Sequence, residues 1–249
     1  MTRFFSAVGR NRRVILAVGL ALAVGYVTAN LWLPDLAQRA FPTLITLVLC
    51  LLVLATVAAM IPRPWVFQVR PQVPAFSAPA SPVTVLATLA LLVLAAGNTG
   101  VVLRDLGTTD TVIDWLRALF SILVTVPPYV GIWRGLGIEL RPDGLRDREW
   151  AGTMIMPWEA LPVVPIPGHP NEHATLRVRC ARPELVRRRG LVTSRRQLFT
   201  NSIDQELAAL AIRYYTTHPE HRSAIGTRSE YDRLLSEISE PPSAPDQDL

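Results

Sequence analysis

The chain contains no lysine: all 25 of its basic residues are arginine. With alanine, valine, leucine and proline abundant, a GC-rich coding genome explains this more simply than a need for guanidinium at every site. Cysteine is nearly absent. Cys50 lies inside an apolar run and Cys180 in the polar half, and since these belong to different compartments no disulfide is expected. Charge is thin, at 18% of residues, and most of it lies after Trp133. No G-x-S-x-G, P-loop, dinucleotide fingerprint or HExxH occurs, so the common motif-borne hydrolase, nucleotide and zinc-protease chemistries have no foothold. Histidines number four. His169 and His173 stand four apart, but Pro167, Gly168 and Pro170 forbid a shared helix turn. His218 and His221, even with Cys180, match no zinc spacing. The expectation is a protein with no metal, no cofactor and no enzymatic activity.

What the sequence does have is hydrocarbon. Four apolar runs, at about 14–33, 43–61, 82–103 and 112–133, are each long enough for a helix to cross a bilayer core of about 30 Å. Lipid offers backbone amides no partner, so helices are the expected form. Pro42 is read as the start of the second span and Pro62 as its stop. The sequence "GNTG" interrupts the third near its end, and Pro127-Pro128 kinks or ends the fourth. Between spans two and three, the Pro- and Ala-rich stretch 62–82 is read as an extended or interfacial connection.

Through Trp133 the chain carries nine arginines against four aspartates; beyond it, basic and acidic residues balance. The net charge of +5 therefore belongs to the apolar half, which argues for topology signals rather than nucleic-acid binding. Arg3, Arg10, Arg12 and Arg13 precede span one, and Arg63 and Arg70 lie between spans two and three. The positive-inside rule then places the N-terminus, the middle loop and the C-terminal half on the cytoplasmic side of the plasma membrane. A cleavable leader ending near Val27 to Ala29 is the competing reading of the first run.

After Trp133 the period changes. Gly137 to Arg141 reads as a strand, Pro142-Asp143-Gly144 as a turn, and 145–149 as the antiparallel partner. "TMIMPWEAL" alternates imperfectly, "LPVVPIP" reads as a proline-broken edge strand, and 173–180 is the clearest two-residue alternation in the chain. Residues 191–200 suggest another strand. Ser202 and Gln205 form a capping-box pattern ahead of a helix that buries Ile203, Leu207, Leu210 and Tyr214. Tyr231, Leu234 and Leu235 mark a short final helix, and 239–249 a disordered tail. The expected fold is an all-α four-helix membrane region (1–133) followed by a mainly β, α+β unit (134–238).

"IELRPDGLRDREW", "MIMPWEAL" and "YYTTHPEHRSAIGT" resemble, in order and spacing, segments of the PH-like (pleckstrin-homology-like) domain found in membrane proteins of GC-rich Gram-positive bacteria. The likeness covers about 132–235. It implies antiparallel sheets or a small barrel with the amphipathic helix plugging one end, and few members of that family have an assigned activity. Eukaryotic relatives of the fold bind phosphoinositides through basic residues of the first hairpin. Here Arg146 and Arg148 occupy that hairpin, but Asp147 and Glu149 alternate with them, a departure from that pattern.

Two constellations stand out as candidate sites. Arg187, Arg188, Arg189, Arg195 and Arg196 flank what reads as a strand turn, with Arg177 and Arg179 on a neighbouring strand. They are candidate contacts for anionic membrane lipids or a protein partner, weighed against a merely solvated basic face. Asp114 and Arg117, three apart on span four and close enough to pair, are an intramembrane polar pair near the outer interface, with Asn98 and Thr99 of span three at similar depth. The function these support is an integral membrane scaffold or regulator presenting an interaction domain. The alternative is a small transporter or channel subunit with a regulatory domain.

Overall fold

The computed structural model describes residues 2–104, 111–150, 152–161, 175–178, 180–190 and 197–239. The chain divides into two compact units, Met1–Pro62 with Ala80–Leu136, and Arg63–Pro79 with Gly137–Leu249.

The first unit is helical: α1 (Thr2–Arg10), α2 (Arg12–Trp32), α3 (Pro34–Met60), then α4 (Pro82–Arg104) and α5 (Thr111–Arg134). Among the described residues, the last four are long and apolar enough to cross a membrane, so the chain has the make-up of a multi-pass membrane protein. Helix α3 differs from its sequence reading. It starts at Pro34, eight residues before Pro42, which stays inside it. Pro34 takes the first-turn position where a missing N–H costs nothing, and Asp35 complements the positive end of the helix dipole. Likewise Pro127 and Pro128 lie within α5, which continues to Arg134. "GNTG" does not break α4 either. A Cβ at Gly100 would come within 2.8 Å of Asn30 Nδ2, so glycine there lets α4 approach α2 closely.

The second unit is built on a six-stranded antiparallel sheet. Its strands, in spatial order, are β1 (Gln68–Arg70), β2 (Ala75–Ser77), β3 (Gly137–Arg141), β4 (Gly144–Arg148), β5 (Gly152–Pro157) and β7 (Arg187–Gly190); β6 (Thr175–Arg177) pairs with β8 (Gln197–Phe199) in a separate two-stranded sheet. Strands β1 and β2 come from the stretch expected to be a plain connection; β2 joins β3 through Phe76↔Leu140 and Ser77↔Glu139. The C-terminal unit therefore begins with residues that precede α4 in the chain.

Alternation fixes which side of the sheet is buried. Phe76, Ile138, Leu140, Leu145, Met154 and Met156 point inward to a core completed by helix α6 (Gln205–Thr217). Leu207, Ala208, Ala211, Ile212 and Tyr215 form the buried stripe of α6, at the spacing of one helix face. Ser202 is not its cap. Asp204 is, its Oδ1 accepting from the N–H groups of Glu206 (2.9 Å) and Leu207 (3.2 Å). A 3-10 segment (Pro219–Ala224) leads to α7 (Arg228–Ser239), which buries Tyr231 and Leu234; Ser239, placed in the tail from sequence, still belongs to this helix. Beyond Leu161, the expected strand in "LPVVPIP" lies outside the described residues, as do residues 240–249 of the tail.

Candidate functional site: a basic sheet face

Residues directly opposite one another on adjacent strands point to the same side of a sheet. Across the middle of the large sheet, Gln68, Ser77, Glu139, Arg146, Ile155 and Arg187 form one such row on the face away from the core. The same face carries Arg148, Thr153 and Arg189 in the next row. Two residues along their strands from Gln68 and Glu139, Arg70 and Arg141 complete it. Six arginines thus share one outer face with Glu139. The acids that alternate with Arg146 and Arg148 in sequence do not dilute it: Asp147 pairs across to Ile138 and Met154 on the core side and is buried, as is Glu149.

Glu139 organises the patch. Its side chain is only 7% exposed and receives Arg141 Nη2 at 3.0 Å, Arg148 Nη2 at 3.4 Å and Arg70 Nη1 at 3.7 Å. A single carboxylate fixes three guanidinium groups and leaves the cluster cationic. Arg146 makes no such pair among the described residues. Partial burial, followed by the neighbouring charges of Arg141 and Arg148, holds its guanidinium below the ordinary arginine value. Arg141, Asp143, Gly144, Leu145, Arg146 and Ile155 line a shallow groove beside it.

The hairpin that displays these residues is held from beneath. Trp158 Nε1–H donates to the carbonyls of Arg141 (3.0 Å) and Pro142 (3.1 Å) at the β3–β4 turn. The Trp158 ring packs at 5.8 Å from Tyr215 and lies 5.3 Å from the Arg222 guanidinium. Behind Tyr215 is a second polar knot. Its hydroxyl donates to Glu230 (3.3 Å), which is buried and also meets Arg233 Nη1 at 3.2 Å. Burial, reinforced by Glu230, pushes the Tyr215 phenol well above its usual range. Arg233 Nη1 also lies 2.9 Å from His221 Nδ1. A guanidinium only donates, so the ring nitrogen is the acceptor in this contact. His218 caps α6, its ring tilted against Tyr214 at 4.8 Å, while the His221 ring stacks on Tyr214 at 5.8 Å. These contacts are structural, and no group of three metal-ligating side chains occurs among the described residues.

The sequence-derived site residues separate. Arg187, Arg188 and Arg189 form strand β7 itself rather than flanking a turn, and all three are exposed. Arg187 and Arg189 join the basic face, while Arg188, opposite Met154, projects to the other side. Arg177 belongs to β6, which among the described residues pairs with β8 in the two-stranded sheet and not with β7. Arg179, Arg195 and Arg196 lie outside the described residues. Sequence reading missed Arg70 and Arg141; the alternation of β3 puts Glu139 and Arg141 on one side and was the available signal for the latter. In the helical unit, Asp114 is half-buried and Arg117 exposed, and among the described residues no ion pair joins them. The polar link there is instead Asn98 Nδ2 donating to Ser121 Oγ (2.9 Å), with Thr125 Oγ1 donating to the Ser121 carbonyl (2.7 Å). The two cysteines form no disulfide.

No protein-family model matches the chain, and neither does a curated protein or a solved structure.

Proposed function

We propose that the protein is a non-enzymatic membrane scaffold of the plasma membrane, whose C-terminal unit faces the cytoplasm and engages anionic lipid headgroups through its outer sheet face. The observation that carries this is the face bearing the six arginines of β1, β3, β4 and β7, with Glu139, Asp147 and Glu149 buried. Each arginine close to an anionic leaflet contributes about 1 kcal/mol before screening, over a range of about 8 Å at physiological salt. Attachment to membrane helices confines the unit to two dimensions, so contacts that are individually weak operate at high effective concentration. The resemblance to PH-like domains points the same way only through the eukaryotic relatives of that fold, which bind phosphoinositides through basic residues of the first hairpin, where Arg146 and Arg148 stand here.

The test uses full-length protein in nanodiscs of neutral lipid, floated with vesicles that contain or lack phosphatidylglycerol. Capture by the anionic vesicles alone, lost in the double variant Arg146→Glu/Arg148→Glu, is the expected result. Equal capture by both vesicle types, or unchanged capture of the double variant, refutes it. A second reading, a small transporter or channel subunit, draws on the Asn98–Ser121–Thr125 polar chain between α4 and α5. Loss of a measured flux on replacing Asp114 and Arg117, with the C-terminal unit intact, would favour it.

A further inference from the structure

The six-stranded sheet has two edges, and they are built differently. At one end β1 is three residues long and half-buried, and the N–H of Phe67 just before it is taken by the Tyr231 hydroxyl at 3.0 Å. At the other end β7 is exposed along its whole length, Gly190 included. Among the described residues β7 pairs only with β5. An edge strand leaves alternate N–H and C=O groups pointing outward, a template for one more strand. Charge on such an edge normally discourages pairing, and three consecutive arginines repel any basic or identical edge. They do not repel an acidic one. We propose that β7 is a docking edge for an extended acidic segment of a partner protein, added to the sheet as a further strand.

The register specifies the partner's chemistry. Arg187 and Arg189 project to the outer face and Arg188 to the opposite one. A strand laid beside β7 alternates its own side chains in the same way. Three consecutive Asp or Glu residues would meet all three guanidinium groups, one on one face and two on the other, or the reverse. Isolated acids spaced two apart would satisfy one face only. Proline within the segment would remove donors the edge needs. The selected ligand is therefore a proline-free extended peptide with a run of at least three acids. This goes beyond lipid binding, which needs no backbone pairing and does not use Arg188.

The test measures fluorescence anisotropy of a fluorescein-labelled ten-residue peptide, four consecutive glutamates flanked by threonine and valine, against full-length protein in nanodiscs of neutral phosphatidylcholine. Two comparisons decide it. N-methylating every backbone amide of the peptide keeps its charge and removes the pairing donors on both of its edges, and should weaken binding at least tenfold. Arg188→Glu, an exposed change off the lipid-facing side, should also weaken the peptide at least tenfold while leaving capture by phosphatidylglycerol vesicles unchanged. Equal binding of the N-methylated peptide reduces the contact to simple charge attraction and overturns the proposal. So does an undiminished affinity for the Arg188→Glu variant, or no binding of the parent peptide at low salt. Because the vesicle assay is read separately, loss of the lipid reading leaves the peptide result interpretable.

Discussion

Glu139→Gln should destabilise the C-terminal unit and, at the same time, strengthen its attraction to anionic surfaces. The carboxylate sits 3.0, 3.4 and 3.7 Å from guanidinium nitrogens of Arg141, Arg148 and Arg70. Each pair taken alone is worth about 4 kcal/mol at an effective dielectric of about 20. Desolvating a buried acid offsets much of that, and partners that are 21–36% exposed are partly screened. Breaking a fully buried pair costs about 3–5 kcal/mol and a surface pair about 0–1; this mixed cluster falls between, at about 2 kcal/mol. For a unit of this size that lowers Tm by roughly 5–10 °C. Part of the loss is repulsion among three arginines left together, so raising salt to 1 M should shrink the difference. The neutral side chain also adds one net positive charge to the face, about 1 kcal/mol or fivefold in anionic-vesicle affinity. Thermal unfolding and vesicle titration of the same preparation check both halves. A folded variant that is as stable as the parent, or that binds anionic vesicles less tightly, would refute the assignment of Glu139 as the counter-charge of the face.

Other perturbations have equally definite signs. Tyr215 has a raised phenol pKa in the folded state, from burial and then Glu230, so the unfolded chain releases its proton first as pH climbs past about 10. Stability should hold below that point and fall above it by up to about 1.4 kcal/mol per pH unit; Tyr215→Phe should flatten the decline in Tm measured from pH 8 to 11. Gly144 has φ +146°, and a Cβ there would run into the Met156 carbonyl. Gly144→Ala should cost at least about 1–3 kcal/mol in a denaturant titration. Asp204→Ala, removing the α6 cap, should cost about 1 kcal/mol in the same assay.

The membrane spans were legible because hydropathy is a local property: twenty apolar residues read the same in any context. Their ends were less so. Residues 34–41 include Asp35, Gln38 and Arg39 and read as a loop, so sequence alone points to Pro42 as the helix start, whereas the helix begins at Pro34. The β3–β4 hairpin was visible because its turn chemistry and alternation are also local. Strands β1 and β2 were not. Three residues carry too little periodicity, and the partner of Phe76 is Leu140, more than sixty positions away across two membrane helices. For the same reason Arg70 could not be seen as part of the arginine face. The basic run at Arg187 to Arg189 was visible as charge, but its strand identity came from pairing with β5, and pairing divides its three arginines between two faces. Asp147 and Glu149 read as neutralising neighbours only while the hairpin was a string; pleating sends them inward.

The most direct measurement places an environment-sensitive fluorophore on the outer face, at Ile155→Cys in a chain with Cys50 and Cys180 replaced, and reconstitutes it in nanodiscs. A face that lies against headgroups should give blue-shifted emission in phosphatidylglycerol nanodiscs, absent in phosphatidylcholine and reversed by 0.5 M salt. Identical emission in both lipids at low salt, with the protein folded, would contradict lipid engagement by this face.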